Sequence, residues 1–158
     1  MSSGGGSPEP PESAGGGFAG AGAGGAEHPN AALVRRVFAA FGSDPKAIAA
    51  AFDRDITWRV PGDTVMSGEY HGRVEVMEFL RRTGLETGGT YRSALHTVFA
   101  DDEWAVAIYR AMGTRNGIEL DVEQALVIRL RDGMWLDVTA VPLDAAFEKF
   151  WAFAKLWA

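Results

Sequence analysis

From His28 onward, apolar positions recur first at helical spacing and later at every second residue. Leu33, Val34, Val37, Phe38 and Phe41 fall on one face of a helix. Asn30, just after Pro29, is placed to cap it, and Gly42 stands where it would end. Asp44 and Pro45 start a second, shorter helix with Ile48, Ala51 and Phe52 on its apolar side. From Asp55 to Pro61 the period changes to two: Ile56, Trp58 and Val60 alternate with Thr57, Arg59 and Pro61. Pro61-Gly62-Asp63 breaks the strand. The stretch through Met66, Gly68, Tyr70 and His71 reads as a loop. A third helix is predicted from Arg73 to Arg82, with Val76, Met77, Phe79 and Leu80 apolar.

The rest is strand-like until the last residues. Thr90 to Ala100 ends at Asp101-Asp102, Trp104 to Thr114 at Arg115-Asn116-Gly117, and Ile118 to Arg131 at Asp132-Gly133. Asn-Gly and Asp-Gly between β-like runs are strong hairpin signals, and hairpins make these strands antiparallel. Met134 to Val141 completes the set and Pro142 stops it. Asp144 to Trp157 is read as a last helix, with Phe147, Phe150 and Trp151 on one side. Helices gathered early and strands gathered late predict an α+β fold in which the helices cover one face of a curved sheet.

Composition narrows the function more than the fold. The chain has 158 residues, 47% of them hydrophobic, enough for one domain with a core. Residues 1–27 are rich in Gly, Ala and Pro and hold only Phe18 to bury, so they are expected to be a disordered tail, with the domain spanning 28–158. That stretch has neither a basic start nor an apolar run, which argues against a secretory signal. No apolar run approaches the length of a membrane helix. A net charge of −6 argues against nucleic acid as a partner. The absence of cysteine excludes thiolate sites and fits a cytoplasmic setting. Three scattered histidines, His28, His71 and His96, lack metal-ligand spacing, and neither a metal nor a cofactor is expected.

The order of these pieces resembles the SnoaL-like members of the nuclear transport factor 2-like superfamily. The carriers are VRRVFAAFGSDPKAIAAAF, DRDITWRVPGD, SGEYHGRVEVMEFL, LHTVFADDEWAVAIYR and LDVEQALVIRLRDG, then the last strand with its Pro-Leu-Asp exit. The resemblance covers about Asn30 to Ala152. It implies a cone-shaped α+β barrel: three N-terminal helices packed on a curved, mainly antiparallel sheet, with a short C-terminal helix. It does not fix a function, because such a fold hosts isomerases, cyclases, epoxide hydrolases and binding domains. Alignment to the steroid isomerases sets Val60 at the base position, Val37 at the Tyr position and Leu126 near the Asp position, and none of these can move a proton. Against the epoxide hydrolases, Ala140, Ala107 and Tyr109 stand where that chemistry needs charged groups.

The resemblance also turns Ala105, Ala107, Tyr109 and Ala111 inward on one strand and Leu136, Val138 and Ala140 on the last. Val122, Gln124, Leu126, Ile128 and Leu130 share the apolar face of the strand between them. A ligand cavity lined by Trp58, Val60, Tyr109, Gln124, Leu126, Val138 and Ala140 is therefore expected, unless the same alternation describes a filled core. The catalytic candidates are Tyr109, His71 near the cavity mouth, His96, and Asp137 as a base displaced along its strand. Alternation sends Asp137 to the outer face, and likewise His96, which shares a face with Ala94 and Val98 while Tyr91, Leu95 and Phe99 share the other. Trp104, Val106, Ile108, Val127 and Trp135 are read as apolar residues on the outer face, which a homodimer would cover. Three readings stand: a binder of a small apolar, polyketide- or steroid-like molecule, a cyclase or isomerase acting on one, and a non-catalytic dimeric interaction domain. Deleting residues 1–27 should leave the melting temperature within about 2 °C of the full chain, since a 1 kcal/mol loss would shift it further. Calorimetry of the two forms checks this.

Overall fold

The computed structural model describes residues 26–153. All of the expected tail except its last two residues lies outside that range, as does the end of the expected last helix. The elements run α1 (Pro29–Ala40), α2 (Pro45–Ala51), β1 (Phe52–Val60), β2 (Gly68–His71), α3 (Arg73–Glu86), β3 (Arg92–Ala100), β4 (Trp104–Arg115), β5 (Ile118–Arg131), β6 (Met134–Pro142) and α4 (Ala146–Phe150). No helix among the described residues is long and apolar enough to cross a membrane.

The six strands form one mixed sheet in the order β2-β1-β6-β5-β4-β3. It is α+β, as the pattern implied. The edge strands β2 and β3 do not pair with each other, so the sheet curves without closing. The late hairpins are as read. Asn116 and Gly117 have φ of 51° and 75°, and Asp132 and Gly133 have 52° and 72°, the left-handed pair that a two-residue hairpin turn requires. The first strand pairs in parallel with the last, Trp58 beside Val138. This pairing carries the chain from the helical half into the centre of the sheet.

Several boundaries differ from the expectation. His28, not Asn30, caps α1: its Nδ1 accepts the Asn30 N–H at 3.0 Å, and its Nε2 meets Asp102 at 2.8 Å. Asn30 instead donates from its side-chain amide to the carbonyls of Asp101 and Asp102, at 2.9 and 3.2 Å, and so ties α1 to the β3–β4 turn. Asp44 caps α2 as read, accepting from Ala47 N–H. Phe52 opens β1 rather than closing α2. The segment read as a loop contains β2, whose Tyr70 sits opposite Trp58. Of the expected last helix, the described residues contain α4, with Phe147, Phe150 and Trp151 buried. Arg115 holds that end in place. It is 9% exposed, pairs with Glu86 at the end of α3, and donates to the carbonyls of Phe150 and Ala152.

Two slips of register overturn assignments of face. On β3 the pairing with β4 jumps from Leu95–Tyr109 to Thr97–Ile108, leaving His96 as the extra residue. Beyond it Val98 turns inward and Phe99 outward, the reverse of the uninterrupted alternation, and Phe99 is 62% exposed. On β6 the pairing with β5 jumps from Leu130–Trp135 to Arg129–Asp137, leaving Leu136 extra. Trp135, expected on the outer face, is thereby fully buried. It lies 5.4 Å from Phe52 and 6.3 Å from Trp58, ring centre to ring centre. Leu136, expected inside, is only half-buried. The indole N–H of Trp135 has no hydrogen-bond partner among the described residues, so the ring is held by packing alone. Trp135→Ala should cost about 3–5 kcal/mol through the cavity it leaves. Urea unfolding followed by circular dichroism reads this loss directly.

Candidate functional site

The helices do not cover the concave face evenly. One wing of the sheet, β3 and β4, carries α1, and the other, β1 and β2, carries α3. Between them the floor is left to β5, β6 and the inward residues of β1 and β4. These residues include Ala140, whose short side chain cannot fill the gap. The turn from Pro61 to Ser67 closes one end against α4, with Val65 N–H donating to the Trp151 carbonyl at 3.0 Å. The other side opens between the α1–α2 turn and α3.

A cavity of about 830 Å³ results. Trp58, Val60, Tyr109, Gln124, Leu126 and Ala140 all face it, and Met66, Phe79, Phe147 and Trp151 join them. Val138, the seventh expected lining residue, does not. It is fully buried between Trp58 and Ile128, its neighbours in the β1–β6 and β6–β5 pairings. The exposed rim is formed by Gly42, Ser43 and Pro45 on one side and by Val74, Glu78 and Arg81 on α3.

The polar groups of the interior are few and neutral. Gln124 is 4% exposed, and its side chain makes no hydrogen bond among the described residues. Tyr109 stands directly opposite it in the β4–β5 ladder. The Tyr91 and Ser93 side chains line the same wall as Tyr109. Burial pushes Tyr109 well above the usual phenol range, and the Tyr91 hydroxyl beside it pushes the same way. Burial raises Tyr91 too, against the opposing pull of Ser93 and Tyr109. Tyr91 and Ser93 were not singled out from sequence for this role. The signal was available: beside Tyr109 in the ladder lies Leu95, and period two carries the same face back through Ser93 to Tyr91.

The charged groups at the mouth are already engaged. Arg73 donates to the Phe52 carbonyl at 3.0 and 2.8 Å. Arg81 grips Glu78 at 2.6 Å, and that contact holds the Glu78 carboxyl below its ordinary value. Arg92 donates to the carbonyls of Gly89 and Tyr91.

The other catalytic candidates lie elsewhere. His71 was placed at the mouth, but β2 turns it to the outer face opposite Thr57, beside Glu69 at 3.4 Å. It borders a separate shallow hollow with Arg54 and Glu75. His96, on its bulge, faces outward 3.0 Å from Glu123. Asp137 is also on the outer face, bonded to Arg59. No group of three or more His, Asp or Glu side chains able to hold a metal occurs among the described residues.

An open, curved sheet wrapped on one side by helices around an apolar cavity defines the cystatin-like α+β class, which a structural match to a cystatin-fold protein from Xanthomonas campestris supports (TM-score 0.73, 21% identity, 78% of this chain and 98% of that one). The SnoaL-like domain model matches residues 34–138, and the chain belongs to that family. It is 32% identical over 123 residues to the uncharacterized protein Rv0034 of Mycobacterium tuberculosis H37Rv, covering 76% of this chain and 94% of that one. It is also similar to Bal32a from a soil-derived mobile gene cassette, at 34% identity and a TM-score of 0.75, over 78% of this chain and 96% of that chain. The structure of TerC co-crystallized with polyporic acid shares the fold at a TM-score of 0.68 and 20% identity, over 78% and 98% of the two chains.

Proposed function

We propose that this domain binds a small, largely apolar molecule, polyketide- or steroid-like in shape, within the cavity. One observation carries the reading. Gln124 is almost fully buried as a residue, and its side-chain amide, without a hydrogen-bond partner among the described residues, opens onto a space of about 830 Å³. A buried amide without a partner costs free energy unless something occupies the space beside it. Sites of this size, apolar with a few fixed polar groups, are typical of small-molecule binding. That TerC, which shares the fold, was seen with polyporic acid agrees with such a ligand.

A cyclase or isomerase working on the same ligand would need a base. Among the described residues the interior offers no carboxylate or imidazole: His71, His96 and Asp137 all lie on the outer face. Binding without proton transfer is therefore the better-supported reading. Affinity for a flat aromatic ligand should stay constant between about pH 5.5 and 8. The phenols facing the cavity are raised above their ordinary value of 10.0 and stay neutral in that window. Glu78, lowered from 4.5, stays ionised. Burial of apolar ligand surface should give a negative heat-capacity change. Calorimetry at several pH values tests both. A tenfold change of affinity across the window, abolished by His71→Ala or His96→Ala, would place a histidine in the site and return the enzyme reading.

The outer face suits a second copy of the chain. Phe99 and Trp104 are exposed there, and Val106, Ile108 and Val127 are only half-buried. A homodimer through β3, β4 and β5 belongs to this reading, as does a cytoplasmic location, which the cysteine-free sequence supports. Light scattering during size exclusion should give twice the mass of the chain. Phe99→Glu or Trp104→Glu would set a charge in the contact and should shift the protein towards monomer without unfolding it. A parent protein that is monomeric at high micromolar concentration would overturn the dimer.

A further inference from the structure

The interior polar groups stand together rather than as scattered exceptions. Ser93, Tyr91 and Tyr109 share one wall of the cavity, with Ser93 paired to Ala111 and Leu95 to Tyr109 in the β3–β4 ladder. Gln124 stands opposite Tyr109 in the neighbouring strand, where paired side chains on one face are in reach of each other. All four face the same cavity. They come from β4, β5 and β3 with the residue just before it, and cluster on the β3–β5 wall, while Trp58, Val60, Met66, Phe79 and Phe147 make the remainder apolar.

Two properties of this set restrict what it can hold. The first is hydrogen-bond inventory. The Ser93, Tyr91 and Tyr109 hydroxyls each carry one proton to donate, and a hydroxyl paired with a neighbour still leaves the neighbour's proton over. The Gln124 amide adds two N–H donors and one carbonyl, none of them bonded among the described residues. The second is charge. The guanidinium groups of Arg73, Arg81 and Arg92 belong to the mouth and are engaged by backbone carbonyls or by Glu78. Arg81 is neutralised by Glu78, and Arg73 and Arg92 keep their charges at the mouth against backbone carbonyls; among the described residues no cation belongs to the polar wall itself, and an unpaired buried charge there is costly.

Resting on the cavity as a binding site, we propose that Tyr91, Tyr109 and Gln124 form a subsite for an uncharged acceptor oxygen, a ketone or quinone carbonyl, on an otherwise apolar polycyclic ligand. The carbonyl lies against the polar wall and the hydrocarbon against Trp58, Met66 and Phe147. Such a subsite selects in two directions. It favours the ketone over the plain hydrocarbon, because a hydrocarbon leaves Gln124 and the hydroxyls unpaired. It disfavours a carboxylate of the same outline, which would lose its hydration without gaining a cation.

Three fluorene-shaped probes separate these possibilities: 9-fluorenone, fluorene and fluorene-9-carboxylate, titrated into the full-length protein and followed by quenching of tryptophan fluorescence. Fluorenone should bind about five- to tenfold more tightly than fluorene although it is the less apolar of the two, and the carboxylate should bind most weakly. Tyr91→Phe and Gln124→Leu keep the volume and remove the polar atoms. Each should weaken fluorenone by about fivefold and leave fluorene within about twofold. Circular dichroism and melting of each variant show whether it is folded, and Tyr109→Phe supplies a third variant. Fluorene bound as well as fluorenone would overturn the carbonyl subsite and leave the apolar cavity standing. A variant that weakens both probes equally would assign that residue to packing and overturn its place in the subsite. Tightest binding by the carboxylate would overturn the neutral character of the wall. Failure of all three probes to bind would overturn the cavity as a site for flat apolar molecules, and the subsite with it.

Discussion

Everything in this structure depends on which face of the sheet each strand residue occupies. Side chains alternate strictly along a strand, so a slip of one residue exchanges interior for surface along the rest of the segment. The slip at His96 turns Val98 inward and Phe99 outward; the slip at Leu136 buries Trp135 while keeping Asp137 outside. With both in place, ionisable side chains gather on the convex face and neutral ones on the concave face. Arg59 with Asp137, Arg110 with Asp121, and His96 with Glu123 pair on the outside. Tyr109, Gln124, Leu126 and Ala140 are left to define the inside.

These slips explain where the sequence was legible and where it was not. The hairpins were, because Asn116-Gly117 and Asp132-Gly133 need a backbone conformation that few other residue pairs adopt readily. The long β5 strand was too, since Val122 to Leu130 holds its alternation without a break. Most of the cavity floor follows from it, because Tyr109 and Ala140 are fixed by their pairing with Gln124 and Leu126. The bulges carried no glycine or proline to mark them. A trace was present all the same: uninterrupted alternation sets the large apolar Trp135 on the same face as Asp137, and only an extra residue between them resolves that conflict. Strand β2 was missed for a simpler reason. Four residues are too few to show a period.

The cavity itself is a product of helix placement. An apolar stripe on a helix must be buried, and here α1 and α3 bury theirs on opposite wings of a sheet too wide for either to span. The short α2 bridges them at the rim and does not descend to the floor. A larger residue at Ala140 would reach into the middle, and alanine there helps to leave the volume open. Arg115 and Asn30 then fix the perimeter: one ties α4 and the end of α3 to β4, the other ties the start of α1 to the β3–β4 turn.

What this interior lacks is as specific as what it holds. A site that abstracts a proton beside a carbonyl needs a base and, opposite it, donors for the developing negative charge. The donors are here, in the raised and therefore protonated phenols of Tyr91 and Tyr109 and in the Gln124 amide. Val60 and Leu126, which face the same space, contribute only hydrocarbon. A carboxylate at Val60 would be about as buried as the valine, which is 6% exposed, and burial would raise its pKa towards the range of an effective general base. On the proposed reading, the step from holding a carbonyl compound to enolising it would be one ionisable group, in an environment that would tune it. In the present sequence that position is aliphatic, so the proposed subsite offers an oxygen donors without a base at Val60.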